Sequence, residues 1–85
     1  MKKIWFEEAW TDYIYWQQDK KMLKKVNDLV KDTERHPFEG IGKPEPLKGE
    51  FSGFWSRRID GKNRFVYRVK GEFLEILSCK GHYND

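Results

Sequence analysis

Arg64-Phe65-Val66-Tyr67-Arg68-Val69-Lys70, then Gly71-Glu72, then Phe73-Leu74-Glu75-Ile76-Leu77-Ser78-Cys79-Lys80, is the stretch from which the fold can be worked out. Phe65, Tyr67 and Val69 alternate with Arg64, Val66 and Arg68. That two-residue period describes a strand with one apolar face and one face carrying arginines. Lys70-Gly71-Glu72 has the composition of a turn. In the next run Leu74, Ile76 and Ser78 alternate with Phe73, Glu75, Leu77 and Cys79, so that strand is apolar on both faces and belongs in the middle of a sheet, with Cys79 buried. Upstream, residues 54–60 supply another strand, joined to Arg64 by the turn-forming Asp60-Gly61-Lys62-Asn63.

Further out the period changes from two to 3.6. Met22, Leu23, Val26, Leu29, Val30 and Thr33 follow a helical stripe that Asp19 can cap. The helix must stop near Arg35-His36, because Pro37 disfavours helical geometry before it. Trp10, Tyr13, Ile14 and Gln17, flanked by Ala9 and Trp16, recur at helical spacing and predict an earlier helix over residues 7–18, with Glu7-Glu8 suited to its N-terminus. Residues 3–6 read as a short strand. Residues 37–53 hold all three prolines and four of the seven glycines. This is a long loop, either functional or a mere linker. The expected order is β-α-α-β-β-β, an α+β fold. Two helices cover one face of a small, largely antiparallel sheet, and the other face stays partly open and basic.

Eighty-five residues make one domain, spanning 1–85, with a thin core that 16% aromatic residues fill efficiently;. The net charge is +3. Seven lysines and seven acidic residues cancel between residues 2 and 34, so the excess lies in the second half, where all five arginines fall. Arginine suits bidentate phosphate contacts. A single cysteine excludes an internal disulfide and a cysteine-based zinc site, and fits a reducing cytoplasm. No apolar run reaches signal-peptide or membrane-span length, so no membrane partner is expected.

Three constellations could carry chemistry. Lys43-Pro44-Glu45-Pro46-Leu47-Lys48 holds Glu45 in extended backbone, either as a general base flanked by two cations or as a solvated charge in a rigid turn. Arg57 and Arg58 are consecutive in a strand and point to opposite faces, so at most one joins Arg64 on the open face; alternatively these arginines and Arg68 pair with Asp60 or Glu75. An exposed patch with Arg64, Arg68 and Lys80 would suit an acidic partner segment. Lys80-Gly81-His82-Tyr83 offers a histidine that could donate or accept a proton and a tyrosine that could stack on a base, or else a frayed tail. His36 reads as a helix-end residue. Ser52 and Cys79 lack any activating triad. Two histidines without ligand spacing predict no metal, and no cofactor is expected.

The sequence resembles the YoeB/Txe branch of the RelE-like bacterial toxins over almost its whole length. The likeness runs through K-I-W-x-E-E-A-W-x-D-Y at 3–13 and D-x-x-x-x-P-F-E-G at 32–40. Its most specific stretches are G-K-P-E-P-L-K at 42–48, S-G-F-W-S-R-R-I at 52–59, N-R-F-V-Y at 63–67 and H-Y at 82–83. The resemblance implies a microbial-ribonuclease-like fold, cleavage of mRNA in the ribosomal A site, and inhibition by a YefM-type antitoxin. A homodimer is a further assembly to test. Carried over by position, Glu45 is the general base, His82 the general acid, Arg64 the phosphate-stabilising cation and Tyr83 a substrate-orienting residue. Lys48 and Arg58 are further phosphate contacts, and Lys43 and Arg57 stand as additional substrate-binding candidates. Many relatives stop near the His-Tyr pair, whereas Asn84 and Asp85 follow here. A terminal carboxylate placed by Tyr83 itself is therefore not expected, and Asp85 adds negative charge.

The expected reaction is attack of the ribose 2′-OH on the adjacent phosphate after Glu45 removes its proton. His82 protonates the leaving 5′-oxygen, and Arg64 with Lys48 neutralises the phosphate oxygens, with no metal involved. The alternatives are a non-catalytic RNA- or ribosome-binding module and an antitoxin-binding regulatory protein. A carboxylate beside phosphate-binding cations favours the enzyme, since binding alone gains nothing from it.

Overall fold

The computed structural model describes residues 1–82, and its best-marked element begins at Asp19. The Asp19 carboxylate accepts from the Met22 N–H at 3.1 Å and caps α2 (Lys20–Arg35);. Met22, Val26, Leu29, Val30 and Thr33 form its buried stripe;. His36 ends the helix ahead of Pro37, as the sequence predicts;.

α1 (Glu7–Trp16) is two residues shorter than expected and buries a different face. Ala9 and Trp16 are buried, with Tyr13 packed against the core, while Trp10 and Ile14 are 50% and 52% exposed. Apolar side chains surround this helix, so periodicity could not choose between stripes. Packing against the sheet selects the smallest residue, Ala9, for the closest approach, and the Trp16 indole N–H finds the Cys79 carbonyl at 2.8 Å;. Trp5, Trp10 and Tyr13 pack as an aromatic cluster at the helix start, Trp10 stacked on Tyr13 and edge-on to Trp5.

The sheet has the order β1-β5-β4-β3-β2, with β1 at Lys2–Trp5, β2 at Glu45–Pro46, β3 at Trp55–Arg58, β4 at Arg64–Lys70 and β5 at Phe73–Ser78. β1 runs parallel to β5 and the other neighbours are antiparallel. The α+β layering expected from the sequence is therefore present, with β5 inside the sheet. The strand the sequence did not reveal is β2. It spans only two residues, and Pro44 and Pro46 cannot donate to a ladder, which confines the segment to a sheet edge. The rest of the 37–53 loop contains a short 3-10 turn, Gly49–Phe51.

At Val66/Tyr67 the β4–β5 register shifts: Tyr67 pairs with Ile76 and Val66 with Ser78, leaving Leu77 as an extra residue;. Past this bulge Ser78 lies on the Val66 side, and Cys79 turns into the core. Burial, and then the Asp12 charge, push the Cys79 thiol up to about 12, so it stays protonated;. Among the described residues, no helix is long and apolar enough to cross a membrane.

Arg57 corrects one expectation. Pairing with Phe65 turns it to the helix side, where it is 0% exposed and cannot reach a substrate. Its guanidinium donates to the Asp32 carboxylate at 2.6 Å, to the carbonyls of Ile41 at 3.1 Å and Glu39 at 2.8 Å, to the His36 carbonyl, and to the Tyr67 hydroxyl at 3.1 Å. Tyr67 in turn donates to the Pro37 carbonyl at 2.6 Å. Four backbone carbonyls in residues 36–41 are thus satisfied, by one arginine and one tyrosine. Gly40, at φ 116°, lets the loop close on the pair, since a Cβ there would lie 2.1 Å from the Asp32 carboxylate.

Arg57→Met should destabilise the fold by about 3–5 kcal/mol, because it leaves Asp32 and several carbonyls without their partner. Arg58→Met, on the exposed neighbour, should change stability by less than about 0.5 kcal/mol. Urea unfolding of both variants checks the contrast. Hydrogen bonding from Arg57 holds the Asp32 carboxyl below its ordinary value of 3.8. A depressed carboxyl contributes stability at pH above that ordinary value and loses it as pH falls through the lower folded value. Asp32→Asn should therefore be less stable than wild type at pH 7, and the gap should narrow below about pH 4.

Candidate active site

Cross-strand partners project to the same side of a sheet, so the register assigns the faces. Phe65 and Tyr67 lie in the core beneath the helices, which turns Arg64, Val66 and Arg68 to the other side. The pairs Glu45↔Ser56, Ser56↔Val66 and Val66↔Ser78 form a row across that side, with Glu45 at its β2 end. Two residues along β3, Arg58 sits directly opposite Arg64. Like charges directly opposite one another are unfavourable unless an anion lies between them. Arg58 is exposed and Arg64 half-buried.

The Arg64 guanidinium is aimed by its own turn. Its Nη1 donates to the Asp60 carbonyl at 2.7 Å and the Asn63 carbonyl at 3.1 Å. Glu45 is exposed on the edge strand, where the flanking prolines keep it extended. The chain enters that strand through Lys43, the only non-glycine with positive φ among the described residues, at 52°. Such a backbone costs on the order of 1–3 kcal/mol and is characteristic of functional loops. Lys43 and Lys48 are both exposed on either side of Glu45.

The chain after β5 returns along β4. Arg64 N–H donates to the Gly81 carbonyl at 2.9 Å, and Gly81 N–H to the Asn63 side-chain oxygen at 2.8 Å. On the helix side, the Asp12 carboxylate accepts from the Cys79 N–H at 3.0 Å. Desolvation raises the Asp12 carboxyl above its ordinary value despite the backbone N–H groups of Cys79 and Lys80;. His82 follows Gly81 and is exposed. Neighbouring strands lie about 4.8 Å apart, so Glu45 on β2 and the segment leading to His82 stand roughly 14 Å apart at the backbone. Arg58 and Arg64 lie between them.

Glu45, Arg58, Arg64 and His82 are therefore brought to one region, and Arg57 is not. Arg68 is also withdrawn from the basic patch. It is ion-paired to Glu75 across the ladder at 2.6 Å and lies 4.7 Å from the Phe54 ring centre, which is the pairing alternative weighed from the sequence. Lys80 sits over the Tyr15 ring at 4.6 Å. Tyr83, Asn84 and Asp85 lie outside the described residues. Among the described residues, no cluster of three or more histidine, cysteine or carboxylate side chains could hold a metal. The sequence reading missed Asn63 and Asp12, which hold the C-terminal segment. Asp60-Gly61-Lys62-Asn63 showed only a turn, although two Asx residues bracketing such a turn are suited to bonding nearby backbone.

Known proteins resemble this chain in sequence and fold. Toxin YoeB of Escherichia coli strain K12 is 60% identical over 84 residues, 98% of this chain and 100% of that protein. A solved YoeB/ParE toxin from Agrobacterium tumefaciens superposes with a TM-score of 0.95 at 51% identity, covering 98% of this chain and 100% of that one. Two Staphylococcus aureus structures, a YoeB dimer and a YoeB–YefM complex, give TM-scores of 0.90 and 0.89 at 47% and 46% identity, each covering 98% of both chains. With a family model matching residues 5–83, the chain belongs to the YoeB-like toxins of bacterial type II toxin–antitoxin systems.

Proposed function

We propose that this toxin is an endoribonuclease that cuts mRNA in the ribosomal A site without a catalytic metal. The observation that carries the reading is the opposed Arg58–Arg64 pair flanked by Glu45 on one side and the His82 segment on the other. Two arginines paired across the ladder suit the non-bridging oxygens of a phosphodiester;. A base and an acid on opposite flanks suit in-line displacement, where attacking and leaving oxygens lie on opposite sides of phosphorus.

Glu45 takes the proton of the ribose 2′-OH. The 2′-oxygen then forms a bond to phosphorus as the bond to the 5′-oxygen breaks, and His82 delivers a proton to that oxygen. Arg64, Arg58 and Lys48 offset the charge that builds on the phosphoryl oxygens, and Lys43 adds affinity for the RNA backbone. Tyr83 orients the substrate base. The products are a 2′,3′-cyclic phosphate and a 5′-OH. A YefM-type antitoxin is the proposed inhibitor of this chain, and a homodimer its proposed free assembly, as in the Staphylococcus aureus YoeB–YefM complex and YoeB dimer.

Glu45→Ala and His82→Ala should each slow single-turnover cleavage of ribosome-bound mRNA by roughly 10²–10⁴-fold while unfolding normally, since both side chains are exposed;. Primer extension with 5′-end analysis reads both rate and product. Near wild-type rates in both variants, with ribosomes saturated, would overturn the assignment of Glu45 as base and His82 as acid. With a phosphorothioate at the scissile position, Mn²⁺ or Cd²⁺ should restore no activity. Clear rescue would establish a catalytic metal instead.

A further inference from the structure

We propose that the Asp60–Asn63 turn is the positioning device of the site, with the Asn63 side chain setting where His82 stands relative to Arg64. The proposal rests on the reading of His82 as general acid and asks what holds it in place.

The turn is closed internally. The Asp60 carboxylate accepts from the backbone N–H groups of Lys62 at 2.8 Å and Asn63 at 2.7 Å. The Asn63 amide N–H₂ donates back to both Asp60 carboxylate oxygens, at 3.1 and 3.3 Å. This fixes the Asn63 rotamer and identifies its other atom as the carbonyl oxygen. That oxygen is the one that accepts the Gly81 N–H. The same turn presents two backbone carbonyls to the Arg64 guanidinium. One four-residue turn therefore orients the phosphate-binding cation through its main chain and the acid-bearing segment through a side chain.

The C-terminal segment has few alternatives. Within it Gly81 has both backbone groups held, by the Asn63 side chain and by Arg64 N–H. Asp12 and Trp16 anchor Cys79 from the helix side but do not reach Gly81. Without Asn63, Gly81 (φ 84°) retains one tether and can pivot about it. Displacing an acid by about 1 Å can cost as much as 100-fold in rate. The β4–β5 ladder and the core are untouched by such a change.

Asn63→Ala should lower the single-turnover rate at saturating ribosomes about 10- to 100-fold with little change in half-saturation. In a His82→Ala background it should add almost nothing, because both act through one proton transfer. The exchange double variant Asp60→Asn/Asn63→Asp keeps an acceptor for Gly81 and a donor between the two side chains, and should recover most of the rate. Amide exchange at Gly81 supplies a readout independent of catalysis: faster in Asn63→Ala and slowed again in the exchanged pair. If His82→Ala is slow while Asn63→Ala cuts at the wild-type rate, the positioning role is wrong and the site reading stands. An equal loss from Asn63→Ala in both backgrounds also overturns it, placing the effect elsewhere. A fully active His82→Ala would remove the acid itself, and the positioning role with it.

Discussion

The guanidinium of Arg57 is the constraint on which the rest depends. A segment of residues 36–41 with four inward carbonyls would ordinarily be costly to bury, each unpaired group worth about 1–3 kcal/mol. Arg57 and Tyr67 satisfy those carbonyls from β3 and β4, and Asp32 on α2 balances the charge. Loop, helix and sheet are thereby locked together at one point. The chain leaves that point through Gly42, whose carbonyl accepts the Arg58 N–H, and enters β2 within three residues. Glu45 thus inherits its position from a half-buried ion pair on the far side of the sheet.

The two consecutive arginines divide the labour of this small domain. Arg57 is surrounded by acceptors and serves the fold; Arg58 faces another arginine. A chain under selection only for stability would place an acidic residue opposite Arg64, as Glu75 stands opposite Arg68 a few residues along the same strand. The unfavourable pairing at one end of β4 and the neutralised pairing at the other set the two ends of the strand apart electrostatically;.

Much of this was legible in the sequence because it rested on strong local signals. Asp19, the stripe from Met22 to Thr33 and Pro37 defined α2, and the alternation from Arg64 to Lys70 defined β4 to the residue. Where several local choices were equivalent, the sequence could not decide. α1 carries apolar side chains over more than one face, so only its tertiary setting chose Ala9 and Trp16 over Trp10 and Ile14. The split between Arg57 and Arg58 followed from strand alternation, but which of them is buried depended on the α2 carboxylate and the loop carbonyls. β2 went unread because two residues between prolines have no period. The candidate residues Glu45, Arg64 and His82 came from motif resemblance together with residue chemistry. That Glu45 and Arg64 share a side of the sheet became visible only through the strand register.

The bulge at Leu77 gives the C-terminal end of β5 its own frame of reference. Upstream of it, side chains are counted by the core; downstream, a fresh count begins in which Cys79 turns inward and Gly81 meets the β3–β4 turn. The distance from the bulge to His82 is therefore a length gauge measured in residues rather than in packing. Substitutions that reshape the interior leave that gauge unchanged, whereas one residue gained or lost between 77 and 81 would bring a different backbone N–H to the Asn63 side chain. Sequence drift and insertion consequently act on separate properties of the molecule: the first on how firmly it folds, the second on which residue meets the β3–β4 turn.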